Sequence, residues 1–488
     1  MKRLQHGITL PIIALYLYLA GSAPFLGQWD SYDYLKQIVS HQLSPLGFGR
    51  PVFLGYNILL WESARRIFHF GPLKVEVVAM AGTVLLGVLG VLLFRALAGQ
   101  FLSPPASRMA ALAFAISPIY AVYSGFIMTE VPMLVALMGS ALILCKSARR
   151  CPGWGAVGGG ILFGMAFGMR EQALTLGAAC LWVIWSKGQT GRFRFRSVLL
   201  FSSMALAAVF APVLALYFSD PAGFVERTRI WLHAIPMGKS QFLNNAQASL
   251  LYLLAICPGS WLAAGGGWIY TLCKRRDFDN SRESCRHSGI PDTAIRYPFS
   301  GILCCIVLPI IALWRDADVQ IHPRYAMVAL PGSLIFCAAI YDRWIRSGKS
   351  RVIWAAVHVL VFGAAIVVLS PFRQAQCEKM EFARAVLDAV PGKAVFIAGS
   401  YSPMLDYYRG IGVRPQWQLV WSGWNWTQEK AESLITSSWD AQVPVYLSED
   451  PLGWRYLEPE YLHYYYFLKG CRKEPVIPKL IRVYPGSD

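Results

Sequence analysis

The chain has 488 residues, of which 55% are hydrophobic and only 15% charged, against about a quarter charged in an ordinary soluble domain. That balance excludes a soluble globule. The net charge of +17 does not mark a nucleic-acid binder, because Lys and Arg also accumulate in the cytoplasmic loops of membrane proteins, and their placement here follows that pattern.

Apolar runs suited to a hydrocarbon core of about 30 Å, which takes about 20 helical residues, fall in chain order at 7–25, 75–97, 108–124, 127–145, 154–170, 172–186, 197–217, 248–272, 298–314, 325–342 and 352–371. The expected count is ten or eleven, the two short halves flanking Arg170 and Glu171 being the softest pair. The first run ends in Ala20-Gly21-Ser22-Ala23, as in a cleavable signal, but its apolar core exceeds the roughly 7–15 residues usual there. It is read as a retained helix.

With the N-terminus in the cytoplasm, alternate loops carry Lys2-Arg3, Lys146 to Arg150, Lys187 to Arg196, Lys274-Arg275-Arg276 and Arg343 to Arg351. The opposite loops hold Asp30, Asp33, Glu130, Glu171, Asp220, Glu226, Asp316 and Asp318. This is the positive-inside distribution. It predicts a multi-pass membrane protein whose acidic loops face away from the cytoplasm.

Two external loops exceed a simple connector. In 27–74, Leu54 to Phe70 interleaves apolar residues with Arg65 and Arg66, and in 220–247, Phe224, Ile230 and Trp231 alternate with Arg227, Arg229 and Lys239. Both read as interfacial helices contacting membrane lipids. The cytoplasmic loop 274–297 reads as a solvated linker.

After Pro371 hydropathy falls. Short β-type runs at 394–398 and 443–447, with helical spacing between them at 427–437, predict a small external α/β domain over 372–488, following a membrane module over 1–371. Its aromatic residues, including Trp417, Trp421, Trp424, Trp426 and Tyr464 to Tyr466, are read chiefly as core and interface anchors, with a sugar-stacking surface as the alternative. Cys377 and Cys471 are the two cysteines in this domain, which leaves a disulfide across its ends open. The glycosylation-type triplet at Asn425 carries little weight.

Ionisable groups at membrane depth are costly and call for an explanation. Four motifs share the external side: Gln28-Trp29-Asp30-Ser31-Tyr32-Asp33-Tyr34, Met128-Thr129-Glu130-Val131-Pro132, Met169-Arg170-Glu171-Gln172, and Ile321-His322-Pro323-Arg324-Tyr325 followed by Pro331. An aspartate just after the first helix, a second acid in a short external loop, and an Arg-Tyr with a downstream Pro resemble the glycosyltransferase C superfamily, which includes protein O-mannosyltransferases, oligosaccharyltransferases and lipid A aminoarabinose transferases. The resemblance covers the membrane module in order and topology.

It implies a glycosyltransferase-C-like bundle of about eleven transmembrane helices. The implied enzyme moves a hexose or pentose, with inversion, from a polyprenyl-phosphate donor to a lipid, glycan or protein acceptor at the outer face. Asp30 matches the family's base, with Asp33 and Glu130 as further catalytic acids, and a positioned carboxylate is what removing a hydroxyl proton needs. Arg324, with Tyr325, His322 and Arg170, would hold the donor phosphate, a guanidinium being suited to bidentate contact. The adjacent acids of many relatives are here separated by Ser31 and Tyr32, so either aspartate can serve as base, since an i,i+3 pair shares a helix face. No cofactor is predicted, although Asp30, Asp33 and Glu130 are oxygen ligands of the kind that suit Mg or Mn.

Each residue also has a structural reading: Asp30 and Asp33 as helix caps, Glu130 as a first-turn acid favoured by the helix dipole, Arg324 as a headgroup contact, Arg170 and Glu171 as mutual neutralisers, and His322 as a hydrogen-bonding residue. An envelope polysaccharide ligase or polymerase would have a long late external loop, whereas 315–324 is short. A lipid or sugar transporter or flippase would have mid-membrane charge and interrupted helices in matching halves.

Overall fold

The computed structural model describes residues 2–22, 29–41, 50–147, 151–177, 180–181, 184, 191–233, 257–273, 323–342, 348–398, 401–420, 428–448 and 467–486. His322, the loop 274–297, the run 298–314, much of 172–186 and of 220–247, Asn425, Trp421, Trp424, Trp426 and Tyr464 to Tyr466 lie outside them.

In chain order come α1 (Lys2–Gly21), α2 (Trp29–Ser40), α3 (Pro51–Phe68), α4 (Val75–Ala98), α5 (Pro104–Ala115), α6 (Pro118–Tyr123), α7 (Glu130–Ser147), α8 (Pro152–Met169), α9 (Gly191–Ser219), α10 (Pro221–His233), α11 (Pro258–Cys273), α12 (Leu330–Asp342) and α13 (Gly348–Ala389). Tight 3-10 turns occupy Pro72–Lys74, Glu171–Leu176 and Pro323–Ala329. Among the described residues, four helical segments are long and apolar enough to cross a membrane: Pro72–Ala98, Glu130–Ser147, Arg194–Ala215 and Arg351–Val368. Thr9–Gly21 and Met327–Ala339 are shorter apolar helices.

Two expected spans differ in form. The run 108–124 is divided, with α5 ending at Ala115 and α6 starting at Pro118. Proline cannot donate to the preceding turn and pushes the residue before it out of helical conformation, and Ser117 is extended, with φ −62° and ψ 123°. The run 172–186 opens on a 3-10 turn because Arg170 is extended, with φ −164°.

The described residues cluster as two compact units, Met1–Ser22 with Pro45–Tyr56 and Met80–Leu369, and Ala23–Ser44 with Asn57–Ala79 and Ser370–Asp488. The first unit contains a small-residue packing surface on α8. A Cβ added at Gly160 would come within 2.5 Å of the Phe201 carbonyl oxygen on α9, and one at Gly164 within 2.4 Å of that of Ala205. On its other side, the Ser140 hydroxyl of α7 donates to the Gly159 carbonyl at 2.7 Å. Backbone approach through small residues, supplemented by interhelical hydrogen bonds, is how helices associate where lipid supplies no hydrophobic drive.

The second unit contains a five-stranded sheet in the order β2-β1-β3-β5-β4, made of β1 (Ala394–Ile397), β2 (Trp417–Val420), β3 (Val445–Ser448), β4 (Arg472–Ile477) and β5 (Leu480–Tyr484). β1 runs parallel to β2 and β3, and β5 runs antiparallel to β3 and β4. Helices α14 (Ser402–Gly410) and α15 (Gln428–Asp440) fall between the parallel strands in sequence, as parallel crossovers require. Val395, Ile397, Val420, Ile435, Val445 and Leu447 are in its core. Strands β1 and β3 and helix α15 fall at the runs 394–398, 443–447 and 427–437. Cys377 and Cys471 are both free thiols.

Candidate functional site

The first unit brings three of the sequence motifs together. Thr129 and Glu130 stand at the start of α7, Arg170 ends α8, and Arg324 lies in the turn Pro323–Ala329 with Tyr325 beside it in sequence. Arg170 keeps its backbone N–H on the Ala166 carbonyl at 3.0 Å and then leaves the helix in an extended conformation. Its guanidinium Nη1 donates to Glu130 Oε1 and to Thr129 Oγ1 at 2.9 Å. Arg324 Nε stands 3.7 Å from the same Glu130 oxygen. Glu130 is wholly buried, Arg170 is 3% exposed and Arg324 8%. One buried carboxylate therefore faces two guanidinium groups.

A buried ion costs several kcal/mol of desolvation unless a partner offsets it. Glu130 offsets most of that cost for Arg170, and its position in the first helical turn adds a favourable dipole. Two guanidinium groups at Glu130 are donors of the kind that bind an anion, and a divalent cation would have to approach Glu130 between them. Among the described residues no three His, Cys, Asp or Glu side chains converge as a metal site.

The second unit holds the other motif. Asp30 is half-buried in the first turn of α2. Asp33, one turn on, is engaged: Gln37 Nε2 donates to its Oδ2 at 2.7 Å and Lys36 Nζ is 3.3 Å from its Oδ1. The same Lys36 donates to Asp406 Oδ2 on α14 at 2.6 Å, and Arg409 Nη2 holds the other Asp406 oxygen at 2.5 Å. Burial alone would lower the Lys36 pKa, but Asp406 and Asp33 together hold it above its ordinary value.

The sequence reading named Arg170, Glu130 and Arg324, which the fold joins, but assigned nothing to Thr129, Lys36, Asp406 or Arg409. Lys36 carried a weak signal as the i+3 partner of Asp33. Asp406, 370 positions away from it, carried none. Nor did the Ser260 and His358 pair, whose Oγ and Nε2 lie 2.7 Å apart while Nδ1 meets the Trp354 carbonyl at 2.8 Å.

Residues 64–216 match the family described as dolichyl-phosphate-mannose-protein mannosyltransferase. Over 99% of this chain and 98% of that one, the fold matches the crystal structure of ArnT from Cupriavidus metallidurans in the apo state, with a TM-score of 0.63 at 11% identity. Archaeal oligosaccharyltransferase AglB from Archaeoglobus fulgidus, in complex with an inhibitory peptide and a dolichol-phosphate, matches at a TM-score of 0.45 and 12% identity over 92% of this chain and 70% of that one. No curated protein sequence matches. The ArnT likeness shows a shared fold, and the family match is confined to residues 64–216.

Proposed function

We propose that the protein is an inner-membrane glycosyltransferase that moves a sugar from a polyprenyl-phosphate donor to a lipid, glycan or protein acceptor on the periplasmic side. The observation that carries this reading is the buried Glu130–Arg170–Arg324 group, which gathers two guanidinium groups at one carboxylate, on an ArnT-like fold. A sugar phosphate leaving group develops negative charge as its bond to the anomeric carbon breaks, and fixed guanidinium donors in a water-poor site stabilise that change.

Asp30 is assigned as the general base. Its carboxylate takes the acceptor hydroxyl proton, the oxygen attacks the anomeric carbon opposite the phosphate, and the carbon–oxygen bond to phosphate breaks, inverting the centre and leaving polyprenyl phosphate. Asp33, whose two oxygens contact Lys36 and Gln37, is the alternative base. Glu130 is assigned to hold Arg170 and Arg324 in place, and Arg324 to the donor phosphate, with Tyr325 and His322 as neighbouring contacts. No step is routed through a metal.

The test is transfer from a panel of radiolabelled undecaprenyl-phosphate sugars by reconstituted wild type and by Asp30→Asn, Asp33→Asn and Arg324→Ala. The reading expects Asp30→Asn to lose at least a hundredfold in kcat, Arg324→Ala to lose a comparable factor, and Asp33→Asn to lose less. Undiminished transfer by Asp30→Asn and Arg324→Ala, both normally inserted, defeats the assignment. Movement of the donor across the bilayer with no transfer product would favour a flippase instead.

A further inference from the structure

We propose that Lys36 is a positioning residue through which the C-terminal domain fixes the helix that bears Asp30, an inference that rests on Asp30 being the base. Lys36 is the shared member of two ion pairs, to Asp33 on its own helix and to Asp406 on α14. The Asp406 side chain is 8% exposed, so water does little to weaken the contact. Arg409 occupies its remaining oxygen, which fixes the carboxylate's orientation towards Lys36.

The steric fit is as specific as the charge. A Cβ placed on Gly410, the last residue of α14, would lie 2.2 Å from both Cγ and Cδ of Lys36. The absence of a side chain there lets the lysine stem lie against α14 while its ammonium reaches Asp406. Next to it the rings of Tyr32 and Tyr407 pack at a centroid distance of 5.9 Å. Tyr32, Tyr407 and Tyr408 all have phenol pKa values raised first by burial and then by the nearby Glu76 carboxylate. The facing charged groups are therefore Asp33, Glu76, Arg384, Asp388, Asp406 and Arg409, contributed by α2, α4, α13 and α14.

At 3.6 residues per turn, Lys36 and Asp30 lie about 120° apart around α2. Pinning Lys36 against α14 thus sets the rotation of α2 and turns Asp30 away from the anchored face. Loss of the anchor would leave Asp30 chemically intact but less often aligned, and misalignment of a reacting group by about 1 Å can cost about a hundredfold in rate.

The test uses the full chain in nanodiscs, comparing wild type with Lys36→Met, Lys36→Arg, Asp406→Asn and Gly410→Val. Hydrogen exchange of peptides covering 29–40 reports the anchor, and transfer from the undecaprenyl-phosphate panel reports catalysis. Lys36→Met, Asp406→Asn and Gly410→Val are expected to speed exchange in α2 at least tenfold. They are also expected to lower kcat about tenfold with donor KM within about twofold and the acid limb of the pH profile unmoved, because the base itself is retained. Lys36→Arg keeps the charge and should retain most of both properties.

Unchanged exchange in the three variants overturns the anchor, whatever the activity. Faster exchange with undiminished kcat overturns its link to catalysis. A wild type that transfers no sugar defeats the functional reading separately and, with it, the catalytic half of this inference, while exchange still decides the anchor.

Discussion

Replacing Glu130 with Gln should destabilise the membrane unit far more than its size change suggests. In the wild type one carboxylate balances two guanidinium groups, with Arg324 Nε at 3.7 Å and Arg170 in direct hydrogen bond. At that separation and an effective dielectric constant of about 20, a single pair attracts by about 4 kcal/mol. Removing one member of a buried pair costs about 3–5 kcal/mol, because its partner stays desolvated and uncompensated. The Gln variant takes this carboxylate from both guanidinium groups. The double variant Glu130→Gln/Arg170→Met removes one of those two guanidinium groups along with the carboxylate. It is therefore expected to be less destabilised than the sum of the two single changes, by about 1–3 kcal/mol. SDS titration of the reconstituted protein, followed by helical circular dichroism, measures the cycle. Additivity within about 0.5 kcal/mol would refute the view that these side chains act as one buried electrostatic unit.

Gly164→Val should weaken the membrane unit through backbone rather than side-chain conflict: the new Cβ would start 2.4 Å from the Ala205 carbonyl oxygen, which cannot move without shifting α9. Overpacking of this kind typically costs about 1–3 kcal/mol, and a lowered midpoint in the same SDS titration, with Gly153→Ala as the control facing only Leu200 Cδ1 at 3.9 Å, checks it. The Lys36 contact predicts an alkaline signature. Its pKa is raised in the folded protein, so the stabilisation is fully present below the ordinary value of 10.5 and is lost as pH rises through the higher folded value. Thermal unfolding of wild type should therefore converge on that of Lys36→Met only at strongly alkaline pH, and a constant gap across that range would contradict the assignment.

Much of this was legible in local pattern. The continuous apolar run of Ala394 to Ala398 marks β1, and the sorting of Lys and Arg against Asp and Glu puts Glu130, Arg170 and Arg324 on one side in the sequence alone. What stayed hidden was pairing across long separations. The contacts of Asp33 are an example, because they run through Lys36 to Asp406 on α14. Hydropathy also misses interruptions: the run 108–124 is apolar throughout its middle, yet Pro118 divides it. The opposite error occurs after Pro371, where hydropathy falls but α13 continues to Ala389. There Met380, Ala383, Val386 and Val390 are buried at helical spacing, so the helix changes from all-round apolar to one-sided without ending. The close approach of α8 to α9 was present as Gly160 and Gly164, but small residues four apart do not name the helix they face.

The account turns on Asp30 as the base for sugar transfer from a lipid phosphate. Mass spectrometry of envelope glycans and lipids from cells expressing wild type or Asp30→Asn at equal membrane levels tests this most directly. The account predicts a sugar-bearing product that appears with the wild type and is absent with Asp30→Asn, while the unspent polyprenyl-phosphate sugar accumulates in the variant. The same product at the same level in both cells would contradict it.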